Sequence, residues 1–272
     1  MKLWDKNNSV NEKIIEFTVG DDRLNDLYLI KYDIKASISH AKMLYRSNLL
    51  SEIECDKIIN ILNEILSQAE AGELKIEKEF EDMHSKIEYI LTDKLGDIGK
   101  KIHTARSRND QVLVSIQLYL IDELNFIKTE VKSLFDLLIN LAKKNKNIIM
   151  PGYTHMRAAM PSSFGLWFSA YAEILIDDVI SLNSTIEIIN QNTLGSAAGY
   201  GTSFNIDRDF TTNDLNFKTL KYNSLACQIS RNKIEKNTFD TLGNIAFTLS
   251  KISMDICLYS GNEFQFISFP DN

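Results

Sequence analysis

From Leu120 onward, apolar residues recur at Leu124, Ile127, Val131, Leu134, Leu138 and Leu141, in steps that alternate between four and three. Such steps hold them on one stripe of an α-helix, and a stripe of this length must be covered by other helices. The same spacing returns at Phe168, Ala172, Leu175, Val179, Leu182, Ile186 and Ile189, after Pro161, Ser162 and Ser163, which suit a helix start. A third copy runs through Leu242, Ile245, Leu249, Ile252, Ile256 and Tyr259. Three long helices with matching seams predict a bundle. The only prolines, Pro151, Pro161 and Pro270, lie between or beyond these stretches, as an all-α fold requires.

The first hundred residues carry shorter helical segments, around 23–47, 51–71 and 79–95. They predict a small N-terminal helical domain over residues 1–104, followed by the long-helix bundle over 105–272. Two connections are long: 143–161, holding MPGYTHMRAAMP, and 191–210, holding QNTLGSAAGYGTSFNIDR. Long irregular connections in a compact protein are more often functional than idle.

Composition excludes several classes. With 44% hydrophobic residues the chain can bury a real core. No apolar run reaches the ~18 residues of a membrane span, and MKLWDKNNSV has no apolar leader block, so the expectation is a cytoplasmic protein without membrane partners. Cys55, Cys227 and Cys257 are too few and too scattered for a disulfide framework or a cysteine metal site. A net charge of -7 argues against a nucleic-acid partner. Any bound anion must therefore find a local patch.

Such a patch exists. Lys100, Lys101, His103, Arg106 and Arg108 fall within nine positions, interleaved with Thr104, Ser107 and Asn109 and preceded by Gly96 and Gly99. Forked arginine donors and a helix N-terminus near Asp110 suit a carboxylate. The alternative is an ordinary capped helix start with solvated arginines. In GYTH, His155 sits on a connection where an imidazole can act as acid or base, with Thr154 beside it to bond a substrate; the alternative is a loop histidine bonded to backbone. In EDMHSKIE, His84 and Glu88 lie one helical turn apart, but no third ligand and no HExxH pattern accompany them, so no metal is expected. Asp33, Ser37 and His40 line one helix face, yet no strained GxSxG elbow supports a hydrolase triad. GSAAGYGTSF lacks a phosphate-loop lysine and reads as a close-approach loop.

The first long helix is expected to have roughly 30 residues and a length near 45 Å, at ~1.5 Å per residue. HTARSRND opens that helix, GYTH lies beyond its far end, and GSAAGYG returns to the opening end. One copy then cannot easily bring both ends to one small substrate. If the motifs share a pocket, copies must assemble it between them.

Taken together, KLW, YDIKASISHAKML, EDMHSKIE, KKIHTARSRNDQV, MPGYTHMRAAMPSSFGLW, NQNTLGSAAGYGTSF and EFQFISFPDN resemble the argininosuccinate lyases of the fumarase/aspartase superfamily, over essentially the whole chain. The resemblance implies a mostly helical homotetramer with active sites shared between chains. It also implies reversible elimination of argininosuccinate to arginine and fumarate, in arginine biosynthesis, with neither metal nor organic cofactor. Ser37, Asn109 and Thr154 then resemble substrate contacts, with Arg106, Ser107 and Arg108 on the carboxylate side, His84 as a pocket histidine and His155 as the catalytic acid/base. The intermediate places negative charge on a carboxylate, which these donors suit. Other readings are a superfamily lyase acting on adenylosuccinate, aspartate or malate, or a non-catalytic crystallin-like relative.

The departures are local. Asp5, Lys6, Asn7 and Asn8 replace the family's usual Gly-Gly-Arg-Phe, Arg157 stands where Gln is common, and Ala36 where Gly is frequent. The larger one is at the end: Phe269, Pro270, Asp271 and Asn272 stop short of the family's flexible Gly-Ser-Ser, Met-Pro-x-Lys-x-Asn-Pro loop. The expectation is an amino-terminal portion of a longer enzyme, or a truncated product, inactive or nearly so alone.

Overall fold

The computed structural model describes residues 12–270; the KLW start with Asp5, Lys6, Asn7 and Asn8, and the final Asp271 and Asn272, lie outside the described residues. Helices dominate. They are α1 (Glu12–Val19), α2 (Asp22–Arg46), α3 (Glu52–Glu70), α4 (Met83–Leu95), α5 (Asp97–Lys100), a 3-10 turn at Lys101–His103, α6 (Arg108–Lys144), α7 (Phe164–Ile189), α8 (Arg208–Asp214), α9 (Ser224–Ile229) and α10 (Lys233–Ser260). The short helices match the sequence pattern to within a few residues, because local chemistry sets their ends. Ser51 and Glu54 form a reciprocal capping box at α3, and the Asp82 carboxylate accepts from Ser85 N–H at α4.

The chain divides into two compact units, one of residues up to Leu120 with Ile189–Arg231, the other of Ile121–Ile188 with residues from Asn232 on. In the first, Ile30, Ile34, Ala41 and Leu44 of α2 pack with Ile58, Leu62 and Ile65 of α3 and with Ile87 and Leu91 of α4. Glu12–Val19 precedes them, and a two-residue parallel pairing joins β3 (Gln191–Asn192) to β4 (Thr219–Leu220).

The second unit contains the predicted bundle. Val131 and Leu138 of α6, Ala172, Leu175 and Leu182 of α7, and Ile245 and Ile252 of α10 form one core, flanked by Ile127, Leu134, Val179, Ile186 and Ile256. Gly165 lets the start of α7 approach the end of α6, since an added Cβ would lie 2.7 Å from Lys146 Cα.

The third stripe departs from the sequence pattern at one position, while Ile245, Ile252 and Tyr259 are buried as the spacing predicts. Leu249 is 40% exposed, whereas Thr238, Thr241 and Thr248 are buried. Threonine tolerates burial here because its hydroxyl is satisfied: Thr241 Oγ1 lies 2.7 Å from Thr185 Oγ1, and Thr248 Oγ1 donates to the buried Asp178 carboxylate at 2.7 Å.

The connection 143–161, read from sequence as irregular, contains an antiparallel hairpin of β1 (Ile149–Thr154) and β2 (Arg157–Ser163), with Pro151 opposite Pro161 and an irregularity at Gly152/Tyr153. Its two turn residues, His155 (φ 51°) and Met156 (φ 61°), are both left-handed, as a two-residue hairpin turn favours. Prolines in both strands and a turn with neither Asn nor Gly hide the usual hairpin signals.

Candidate active site

The site grows from the start of α6. Ser107 caps the helix, its Oγ accepting from Asn109 N–H at 3.3 Å, while its own N–H donates to Asp110 Oδ1 at 2.8 Å. Asp110 does more than complete this box. Its Oδ2 also accepts from Gly195 N–H at 2.9 Å and Ala197 N–H at 3.0 Å. The left-handed backbone at Gly195 (φ 81°) and Ala197 (φ 51°) turns these N–H groups into a small anion nest, filled here by the Asp110 carboxylate. GSAAGYG therefore does return to the HTARSRND corner, held by a buried staple. Burial raises the Asp110 pKa, against the lowering effect of its N–H donors and Arg106. Gln228 Nε2 donates to Ser196 Oγ and to Ala197 O, both at 3.2 Å, and braces the loop from α9.

Behind the corner, Asp33, Ser37 and His40 of α2 are all buried, and they do not form a triad. Each has a different partner. Ser37 Oγ accepts from Arg106 Nη1 at 2.8 Å. His84 Nδ1 lies 3.1 Å from Asp33 Oδ1 as an ion pair without a well-aligned hydrogen bond. Burial opposes both charges, but their mutual attraction prevails, so His84 is raised and Asp33 lowered from their ordinary ranges. His84 and Glu88 also part company, since Glu88 accepts the His103 Nδ1 contact at 2.6 Å.

His40 Nε2 donates to Thr104 O at 2.9 Å and so supports the turn through Ala105, whose φ is 58°. Burial, then the nearby Arg106 charge, push its pKa down to about 3 from the usual 6.5. The native state keeps His40 neutral while the unfolded chain protonates it, so His40 withdraws stability as pH falls below 6.5. Between pH 6.5 and 5 the loss is about 2 kcal/mol. Thermal unfolding of wild type and His40→Asn across this range should show curves that converge toward pH 5; parallel curves would contradict the assignment.

The cations of the run are matched by acids. Lys100 pairs with Asp97 at 2.8 Å, Lys101 with Glu54 at 2.5 Å, and Arg108 with Asp82 at 2.9 Å and Glu81 at 3.3 Å. Arg108 Nη2 also donates to Ser85 Oγ. Arg106, 6% exposed, lies among the charges of Asp33, Glu88 and Asp110. Asn109 completes the corner: its Nδ2 donates to Ser107 Oγ at 3.2 Å, and its Oδ1 accepts from Arg231 Nη1 at 3.2 Å.

Ser37, His84, Arg106, Ser107, Arg108 and Asn109 thus gather in the first unit. Thr154 and His155 belong to the second, exposed at the hairpin tip. Tyr153, next to them, stacks edge-on against Phe264 at 5.2 Å and lies 6.2 Å from Phe266, which anchors the hairpin to the segment after α10. Sequence reading missed the Asp110 staple, although Ser107 and Asp110 show the capping-box spacing. It also missed Arg231 and the Asp33–His84 pair, whose partners are remote in the chain and leave no local signal.

The fold has structural counterparts among solved proteins. A solved structure of EDDS lyase in complex with formate superposes with a TM-score of 0.81 at 24% identity, covering 88% of this chain and 47% of that one. A family model described as lyase matches residues 16–272. Among curated proteins, the argininosuccinate lyase of Phocaeicola vulgatus is 49% identical over 270 residues, 99% of this chain and 60% of that protein. That of Thermotoga neapolitana is 44% identical over 269 residues, 99% of this chain and 68% of its own. The chain belongs to the argininosuccinate lyase family of the fumarase/aspartase superfamily, and it spans about 60% of the length of the first of these relatives.

Proposed function

We propose that the protein carrying this chain is an argininosuccinate lyase. It cleaves the carbon–nitrogen bond of argininosuccinate by elimination, releasing arginine and fumarate, and the reverse reaction joins them. The 49% identity to the Phocaeicola vulgatus enzyme across 99% of the chain carries this proposal. In it, Ser37, His84, Arg106, Ser107, Arg108, Asn109 and Thr154 hold the substrate, and His155 is the acid/base residue. The proton leaves a carbon next to a carboxylate, so negative charge builds on that group in the transition state. Rigid N–H and O–H donors stabilise such charge best when they need not reorganise. The capped α6 start, with Asn109 braced between Ser107 and Arg231, has that rigidity.

The same proposal makes the protein a cytoplasmic homotetramer whose sites are completed between chains. Two observations support assembly. Arg108 opens a helix of 37 residues, while Thr154 and His155 follow its last residue, Lys144. The second unit also leaves Ile180 of α7 and Phe239, Phe247 and Met254 of α10 at 59–72% exposure, an apolar surface suited to other helices. The full-length protein carrying this chain, once purified, should release fumarate from argininosuccinate, followed by ultraviolet absorbance. Release from aspartate, with none from argininosuccinate, would overturn the substrate assignment.

A further inference from the structure

We propose that Arg231 is a further substrate-contacting residue, binding a carboxylate of the succinate portion beside Asn109. The identity of that ligand rests on the function proposed above; the anion chemistry rests on the corner itself.

The cations of the 100–108 run already have acidic partners, as described. Arg231 differs. It is exposed, and its one side-chain hydrogen bond among the described residues goes to a neutral acceptor, Asn109 Oδ1 at 3.2 Å. No described carboxylate forms an ion pair with it. A guanidinium carries five N–H donors in a planar fork, so one bond to Asn109 leaves most of the fork available to a ligand.

The bond also orients Asn109. With Oδ1 held by Arg231 and one Nδ2 hydrogen directed to Ser107 Oγ, the second Nδ2 hydrogen remains for a ligand oxygen. A forked cation and an amide N–H, joined by a hydrogen bond of their own, offer adjacent donors to the two oxygens of one carboxylate. The backbone fixes the arrangement from the other side. Arg231 N–H donates to Gln228 O at 3.2 Å, and the next residue, Asn232, is left-handed at φ 65°. Gln228 itself braces Ala197 of the stapled loop, so the cation and the loop share one support.

The test uses fumarate and succinate as probes, titrated calorimetrically into the purified protein at fixed ionic strength. Arg231→Gln should weaken fumarate binding by roughly tenfold to a hundredfold, the loss of a charge-assisted hydrogen bond. Arg231→Lys, which keeps the charge without the fork, should recover part of it, and the unfolding midpoint should stay unchanged in both. Equal affinities in wild type and Arg231→Gln, or no binding of either dicarboxylate by wild type, would overturn the assignment. Turnover of argininosuccinate by wild type is scored separately. Arg231-dependent fumarate binding without that turnover would sink the lyase assignment and leave this one standing.

Discussion

Changing His155 to alanine should lower fumarate release from argininosuccinate by about 100- to 10,000-fold, the usual weight of a positioned acid/base group. Assembly and the unfolding midpoint should barely move, because His155 is exposed at a hairpin tip and supports no core. The turn imposes a left-handed backbone there, φ 51°, which alanine accepts less readily than histidine or asparagine. His155→Asn therefore separates the two effects, since it keeps the backbone preference and removes the titrating ring. Turnover lost in both variants, with intact assembly by light scattering, is the expected result. Normal turnover in either would remove His155 from the mechanism.

Arg106→Met should act on stability first. Arg106 is 6% exposed, donates to Ser37 Oγ and sits among the buried Asp33 and Asp110 and the half-buried Glu88. Removing the cation leaves the buried Asp33 and Asp110 carboxylates with only His84 and the backbone N–H donors as compensation. Deleting one member of a buried ionic group costs about 3–5 kcal/mol when nothing else offsets the charge, so the loss should approach that range. The urea midpoint should fall accordingly, and Asp33→Asn added to Arg106→Met should recover part of the loss. An unchanged midpoint would mean that water already screens this cluster.

The sequence exposes those parts of the fold in which chemistry is local or periodic. Val131 and Leu138, Ala172, Leu175 and Leu182 carry the seam because a four-three spacing can only be buried by a helix with the same spacing. On α10 the same rule selected Leu249, which is exposed, because a count of apolar residues cannot see that buried threonines with satisfied hydroxyls pack as well as leucines. The α6 start was legible as a donor-rich helix opening near Asp110. What its donors bond to was not: Arg106 meets Ser37, and Asn109 meets Arg231, through chain separations that no local pattern encodes. The hairpin bearing His155 was hidden for a related reason, since the partner strand, not the turn residues, makes it a hairpin.

The hydroxyl contacts between α7 and α10 limit how those helices can slide. If one advanced by a turn along the other, the Asp178 carboxylate and the Thr185 and Thr241 hydroxyls would lose their opposite numbers while still out of water. Each orphaned group costs about 1–3 kcal/mol, and the carboxylate more, whereas leucine against leucine would forgive the slip. A greasier interface binds as tightly in several alignments; this one favours a single alignment, and so fixes how far along the bundle the segment after α10, with Phe264 and Phe266 against Tyr153, is delivered.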